Sequence, residues 1–194
     1  MTDPYKRPFL QVITDLNSEV TYEGATAYRG TMQVEGIEHE PIHHIVRKDA
    51  RHISGLCFGE VKLTNRTQVP CLWLHWGDPD GVEDHQIHSG NFPAESTGCP
   101  LPGLEVTDSG VGHSQDALGL LFQSLVAAAG YPAPDGTIWS DVDPEHIGYQ
   151  SPPFGLVVVV EFVAKEAPEP VKPPAKSCWQ SISGGRTKEP TQRR

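Results

Sequence analysis

The hydrophobic pattern of the chain predicts many strands and few helices. Segments of six to eleven residues with alternating or β-branched character are separated by glycine, proline and charged residues, as is typical of strands and turns. The most apolar segment, residues 155–164, has the composition of a strand in the centre of a sheet. The other predicted strands span residues 7–14, 26–35, 42–47, 53–63, 69–76 and 83–88.

One segment has the period of an amphipathic helix. Its apolar residues recur at i, i+3, i+4 and i+7, and they are Leu118, Leu121, Phe122, Leu125, Val126 and Ala129. Ser114 is expected to cap this helix at its N-terminus, and Gly130 to end it. We therefore predict an α+β fold. It is a single β-rich domain over residues 1–165, with a mixed or small barrel-like sheet and one main helix, followed by an extended, proline-rich basic tail over residues 166–194.

Charge is unevenly distributed along the chain. The formal net charge is −10, but residues 1–164 carry 22 acidic and eight basic residues, whereas residues 165–194 carry seven basic and three acidic ones. The acidic domain argues against nucleic acid as a partner, and the basic tail is expected to dock on a neighbouring protein. No apolar run is long enough to span a membrane, and residues 1–9 lack the apolar core of a signal peptide. We expect a chain that is made in the cytoplasm and has no membrane span.

The cysteines and histidines of the chain do not follow a known metal-binding pattern. The four cysteines include no CxxC pair, and the nine histidines include no HExxH motif. Cys57 and Cys71 lie in apolar segments and are expected to be buried small hydrophobes. No metal or other cofactor is therefore expected.

One loop combines residues that can carry out covalent chemistry. His88 and Cys99 lie 11 positions apart. A thiol is a strong nucleophile only as the thiolate, and a nearby imidazole is a common base for producing it. Backbone amides from Thr97 to Cys99 could form an oxyanion hole. His75, His85 or a backbone carbonyl could orient the His88 ring, and the sequence leaves these alternatives open. The loop reads Ile87-His88-Ser89-Gly90-Asn91-Phe92-Pro93-Ala94-Glu95-Ser96-Thr97-Gly98-Cys99.

This loop resembles the signature of a small domain family of phages and bacteria. The pattern is Ile-His-x-Gly-Asn followed by Ser or Thr-x-Gly-Cys. It is similar in its core to the L,D-transpeptidases of peptidoglycan and to cell-wall effector domains delivered by type VI secretion. The resemblance covers residues 87–103 and, more loosely, the start of the predicted helix at residues 114–117. It implies Cys99 as nucleophile and His88 as base, with Ser96 and Gly98 shaping the turn and the oxyanion site. It also places Gly90, Asn91 and Thr97 at the substrate.

The resemblance implies a peptidoglycan-directed cysteine transpeptidase or peptidase, associated with a phage particle or a bacterial secretion assembly. In that chemistry the thiolate attacks the amide of a tetrapeptide stem between an L-centre and a D-residue, and the acyl group passes to an amine or to water. The chain departs from the L,D-transpeptidase pattern in having Thr97 before Gly98, where those enzymes have histidine. It also has Pro100, Leu101 and Pro102 where they have an arginine soon after the cysteine.

The alternative prediction is a structural protein. The same domain would serve as a non-catalytic structural or adaptor component of a phage virion, part of a larger assembly of neighbouring proteins. Its C-terminal tail would be the anchor.

Overall fold

A computed structural model describes residues 7–38, 41–63, 70–77, 85–130 and 155–166 of the chain. The predicted tail, from residue 167 onward, lies outside these residues. Within them the chain forms a single α-helix, one short 3₁₀-helix (Pro93–Glu95) and ten strands. In chain order the elements are β1 (Phe9–Tyr22), β2 (Ala25–Val34), β3 (Ile42–Arg47), β4 (Gly55–Leu63), β5 (Pro70–His75), β6 (Gln86–Ile87), β7 (Leu101–Gly103), β8 (Glu105–Val106), β9 (Val111–Gly112), α1 (Ser114–Ala128) and β10 (Val157–Lys165).

Eight of these strands form one mixed sheet that curves into a nearly closed barrel. The strand order is β6-β5-β4-β10-β1-β2-β3-β7. All neighbours pair antiparallel except β1 and β10, which run parallel with Phe9 opposite Val159. Strands β8 and β9 form a separate small sheet. The prediction of a β-rich α+β fold with a mixed, barrel-like sheet and one main helix is confirmed, and β10 lies in the centre of the sheet as its composition indicates.

The main core fills the space between the sheet and α1. Alternate residues of β10, among them Val158 and Val160, are fully buried, and so is Leu10 of the neighbouring β1. The predicted stripe of α1 faces the same core, with Leu121 and Leu125 fully buried. Each such side chain contributes about 2 kcal/mol by leaving water, so this contact holds the helix against the sheet.

The two ends of α1 differ in how well the sequence predicts them. Gly130 follows the helix with a positive φ of 74°, and its amide donates to Ala127 O, as expected of a glycine that ends a helix. The prediction of Ser114 as the N-cap is wrong. The helix begins at Ser114, and the cap position belongs to His113 in a left-handed conformation. The Ser114 hydroxyl therefore serves another group.

A second, smaller core lies on the opposite face of the sheet. The register between β1 and β2 shifts between Asp15 and Glu19, which turns the following part of β1 over. Val20 consequently lies on this face. It packs with Ala27 of β2, Ile45 of β3, Leu101 of β7 and Val111 of β9. The loop that carries His88 and Cys99 packs at this second core, because a Cβ on Gly90 would contact the Leu101 side chain at 3.1 Å.

Candidate active site

The loop between β6 and β7 joins the two edges of the curved sheet. These strands are the first and last in the strand order, and residues 88–100 connect them. Directly before β6, His85 O accepts a hydrogen bond from the Leu74 amide of β5. The amide of the next residue, Gln86, therefore points away from β5. That amide donates to the Cys99 sulfur over 3.3 Å. Cys99, two residues before β7, thus bridges the gap between the two edges.

Cys99 differs from the other described cysteines in its surroundings. Burial raises the pKa of Cys57 to about 12. Burial, reinforced by the negative charge of an ionised Cys99, also raises the pKa of Cys71 to about 12, against a smaller opposing hydrogen bond with Trp73. Cys99 is 9% exposed, against 4% for Cys57 and 0% for Cys71, and its sulfur accepts the Gln86 N–H. The structure therefore singles out Cys99 as the candidate nucleophile among the three.

The His88 ring is oriented by the backbone of the next residue. Its Nδ1 lies 2.9 Å from the Ser89 carbonyl oxygen. A carbonyl can only accept a hydrogen bond, so Nδ1 carries the proton and Nε2 keeps its lone pair. This is the tautomer that a general base needs. The Cys99 sulfur contacts the Gln86 amide in β6, and His88 follows Gln86 by two residues, about 7 Å along the backbone.

The sequence left open which of three groups orients the His88 ring. In the structure, the backbone carbonyl of Ser89 contacts this ring. The other two histidines make different contacts. His75 Nε2 lies 3.7 Å from a Glu60 carboxylate oxygen on the neighbouring strand. His85 meets the His52 ring edge-on, with 5.0 Å between ring centroids, and His52 stacks on Trp76. Because the sequence encodes no signal for a backbone carbonyl, only the structure identifies Ser89.

Ser96 and Gly98 are joined in a tight turn before Cys99. The Ser96 hydroxyl donates to Cys99 O over 2.8 Å and accepts the Gly98 amide over 3.0 Å. Both residues are buried, whereas Thr97 between them is exposed. Since the Gly98 amide donates to Ser96, it is not available to the predicted oxyanion site. Ala50 of the β3–β4 loop packs against this turn, and the exposed Arg51 follows it.

Replacing Gly98 by alanine is expected to destabilise this turn by about 1 kcal/mol. The φ of Gly98 is 144°, in a region that residues with a Cβ rarely adopt, while the nearest atoms of Ala50 would be 3.5 Å from the added carbon. The cost is therefore conformational rather than a clash. Urea denaturation of the variant measures it, with Gly77→Ala, another positive-φ glycine that is remote from the turn in sequence, as a reference. Unchanged stability in Gly98→Ala alone would contradict this reasoning.

The first half of the loop is held by two side chains, Glu95 within the loop and Ser114 on α1, and by one backbone contact. One carboxylate oxygen of Glu95 accepts the amides of Asn91 (2.6 Å) and Phe92 (2.9 Å). The Gly90 amide donates to the Ser114 hydroxyl over 2.8 Å. Asn91 O accepts the Val111 amide over 2.9 Å. Gly90 and Asn91, predicted to bind substrate, thus contribute their backbones to the shape of the loop.

Three groups at this site were not predicted from the sequence. The Gln86 amide acts through its backbone, which carries no sequence signal. Glu95 and Ser114 act through hydrogen bonds to backbone amides of the loop. A glutamate four residues after Asn91 could have suggested a local cap, and the weak resemblance at residues 114–117 could have drawn attention to Ser114. Spacing alone does not connect Ser114 to Gly90.

Among the described residues, no group of three or more His, Cys, Asp or Glu side chains could hold a metal ion. In the same part of the chain, the helix is too short and not apolar enough to cross a membrane.

Comparison with protein families, with curated proteins and with solved structures finds no match to this chain.

Proposed function

We propose that the chain is a cysteine acyl-transfer enzyme acting on peptide amides. Cys99 is the nucleophile and His88 the general base. The observation that carries the proposal is the hydrogen bond from His88 Nδ1 to Ser89 O, because in the neutral ring it leaves Nε2 as an acceptor, two residues after the Gln86 amide that contacts the Cys99 sulfur.

The proposed reaction proceeds in two halves. His88 Nε2 takes the proton of the Cys99 thiol, and the thiolate attacks the carbonyl carbon of the amide, whose electron pair moves to oxygen. When the tetrahedral intermediate collapses, the C–N bond breaks and the leaving amine takes the proton from Nε2. The acyl group stays on sulfur as a thioester. An amine or a water molecule, deprotonated by Nε2, then attacks the thioester and releases the thiol.

The proposed substrate is the stem peptide of peptidoglycan. This part of the proposal rests on the sequence resemblance of residues 87–103 to cell-wall domains. Such a stem ends in a carboxylate, and the arginine expected soon after Cys99 is missing from the sequence. Arg51 follows Ala50, which packs against the Gly98 turn, so the proposal assigns the substrate carboxylate to Arg51 in place of that arginine.

Incubation with a tetrapeptide stem that ends in a D-residue tests the proposal. We expect release of the terminal residue and a transient acyl adduct on the Cys99 peptide, both detected by mass spectrometry. The Cys99→Ala variant is the blank, and Cys57→Ala is the matched control, since it removes a thiol that burial keeps unreactive. Turnover that persists in Cys99→Ala would rule out the cysteine mechanism.

A second candidate function is a non-catalytic structural or adaptor protein of a larger assembly such as a virion. The position of the loop favours it: residues 88–100 close the sheet between its two edges, a role that needs no chemistry, and Cys99 is only 9% exposed. No turnover of stem peptides, together with alkylation of Cys99 by iodoacetamide at the rate of an ordinary thiol, would favour this candidate.

A further inference from the structure

The peptide unit between Ser89 and Gly90 is held at both of its polar ends. Its carbonyl oxygen, on Ser89, accepts His88 Nδ1–H over 2.9 Å. Its N–H, on Gly90, donates to Ser114 Oγ over 2.8 Å. A trans peptide is planar and its C=O and N–H point in opposite directions. Fixing the N–H therefore also fixes the direction of the carbonyl.

Ser114 is well placed to act as a fixed acceptor. It is the first residue of α1 and is 3% exposed. The helix is anchored to the main core by the stripe that includes Ala117 and Leu118, both close to Ser114 in the first turns. The oxygen of Ser114 is thus attached to a rigid element, whereas the loop that it contacts is irregular.

We propose that Ser114 is a positioning residue for the general base. It holds the Ser89–Gly90 peptide so that the Ser89 carbonyl keeps the neutral His88 ring in the Nδ1–H tautomer, which leaves Nε2 to accept a proton. This inference rests on the proposed function for its catalytic meaning. Ser114 touches neither substrate nor the reacting atoms, and it acts on them through one peptide unit and one imidazole.

Removing the hydroxyl is expected to free this peptide unit. In Ser114→Ala, the Gly90 amide loses its acceptor and turns toward water, and the Ser89 carbonyl turns with it. The His88 ring then loses its fixed partner and its single tautomer. At metal sites, loss of a group that orients a ligating histidine typically costs 10- to 100-fold in affinity or activity, and this range serves as a guide here. We expect the alkylation rate of Cys99 at pH 7 to fall about tenfold, at the low end of that range.

The chain offers a matched control on the same helix. Ser124 is also buried, at 4% exposure, and its hydroxyl donates to Leu120 O within α1. Ser124→Ala removes an equivalent hydroxyl with no link to the loop. Ser114→Thr keeps an oxygen at the position and is expected to restore the rate. If Ser114→Ala does not fold, Ser114→Cys supplies a weaker acceptor of similar size and is expected to shift the rate in the same direction.

The test combines two measurements on the full chain. The first is the pH–rate profile of iodoacetamide alkylation, followed on the Cys99 peptide by mass spectrometry. The second is the His88 tautomer, identified from its ring nitrogen shifts in long-range ¹H–¹⁵N spectra. In Ser114→Ala we expect the profile midpoint to move to higher pH and the Nε2–H tautomer to appear, with neither change in Ser124→Ala.

The outcomes separate this inference from the proposed function. A reactive Cys99 whose profile and His88 tautomer are the same in Ser114→Ala as in Ser124→Ala would overturn the role of Ser114 and leave the acyl-transfer proposal standing. An ordinary, unreactive Cys99 in the unmodified protein would overturn acyl transfer. The tautomer spectra would then still decide whether Ser114 orients His88.

Discussion

The variant His88→Gln is expected to turn over stem peptides 10²- to 10⁴-fold more slowly than the unmodified protein. Glutamine has nearly the reach of histidine and can still donate a hydrogen bond to Ser89 O, so the loop keeps its shape. It cannot accept and return a proton. Cys99 would therefore remain a neutral thiol, and the leaving amine would depart without a proton donor. The rate of acyl-enzyme formation, measured by mass spectrometry under single-turnover conditions, gives the effect directly.

The control for this experiment is a histidine outside the loop. His43 is half-buried on β3, where it lies opposite Gly103 of β7. His43→Gln removes one imidazole from the same sheet and is expected to leave the acylation rate unchanged. The loss in His88→Gln should shrink at high pH, where hydroxide ionises the thiol without help from a base. A reduction of less than threefold at pH 7 would show that His88 is not the base.

The sequence predicts the sheet and the helix well because both have strong periodic patterns. The valine-rich composition of β10 identifies this strand nearly to the residue, and β3 has the bounds predicted for residues 42–47. Strands β7, β8 and β9 were missed, since two or three residues are too few to show a period. The register shift in β1 was also missed. It depends on how residues 15–19 pair with β2, which no local pattern specifies.

The candidate site, too, was predicted only in part from the sequence. His88 and Cys99 were identified because their side chains are chemically distinctive, and Gly98 because its context indicates a turn. The groups that arrange them are mostly backbone atoms: the Ser89 carbonyl, the Gln86 amide and the Gly90 amide. Every residue carries such atoms, so the sequence does not distinguish the ones that act. Ser114 was assigned to the helix cap for the same reason, since its acceptor role depends on tertiary contact with a loop 24 residues earlier.

Acidification from pH 7 to pH 5 is expected to lower the free energy of unfolding by about 2 kcal/mol through His44 alone. This histidine of β3 is fully buried, and its ring lies over Gly30 of β2, where an added Cβ would overlap it. Burial, with a smaller contribution from the neighbouring His43, lowers the pKa of His44 from 6.5 to about 3. Unfolded chains take up a proton below pH 6.5, whereas the folded chain does not until about pH 3. The stability is therefore complete above pH 6.5 and is lost as the pH falls toward 3.

A comparison with His44→Gln isolates this contribution from that of the carboxylates. The neutral form of His44 is supported by one contact, since its Nε2 lies 3.2 Å from the Thr14 hydroxyl, while Nδ1 has no hydrogen-bond partner among the described residues. Glutamine can keep a hydrogen bond to Thr14 and does not titrate. Urea denaturation between pH 7.5 and pH 5 should show a stability difference between the two proteins that changes by about 2 kcal/mol. Parallel curves would mean that the buried imidazole accepts a proton without cost, because water or an acidic group reaches it in the folded protein.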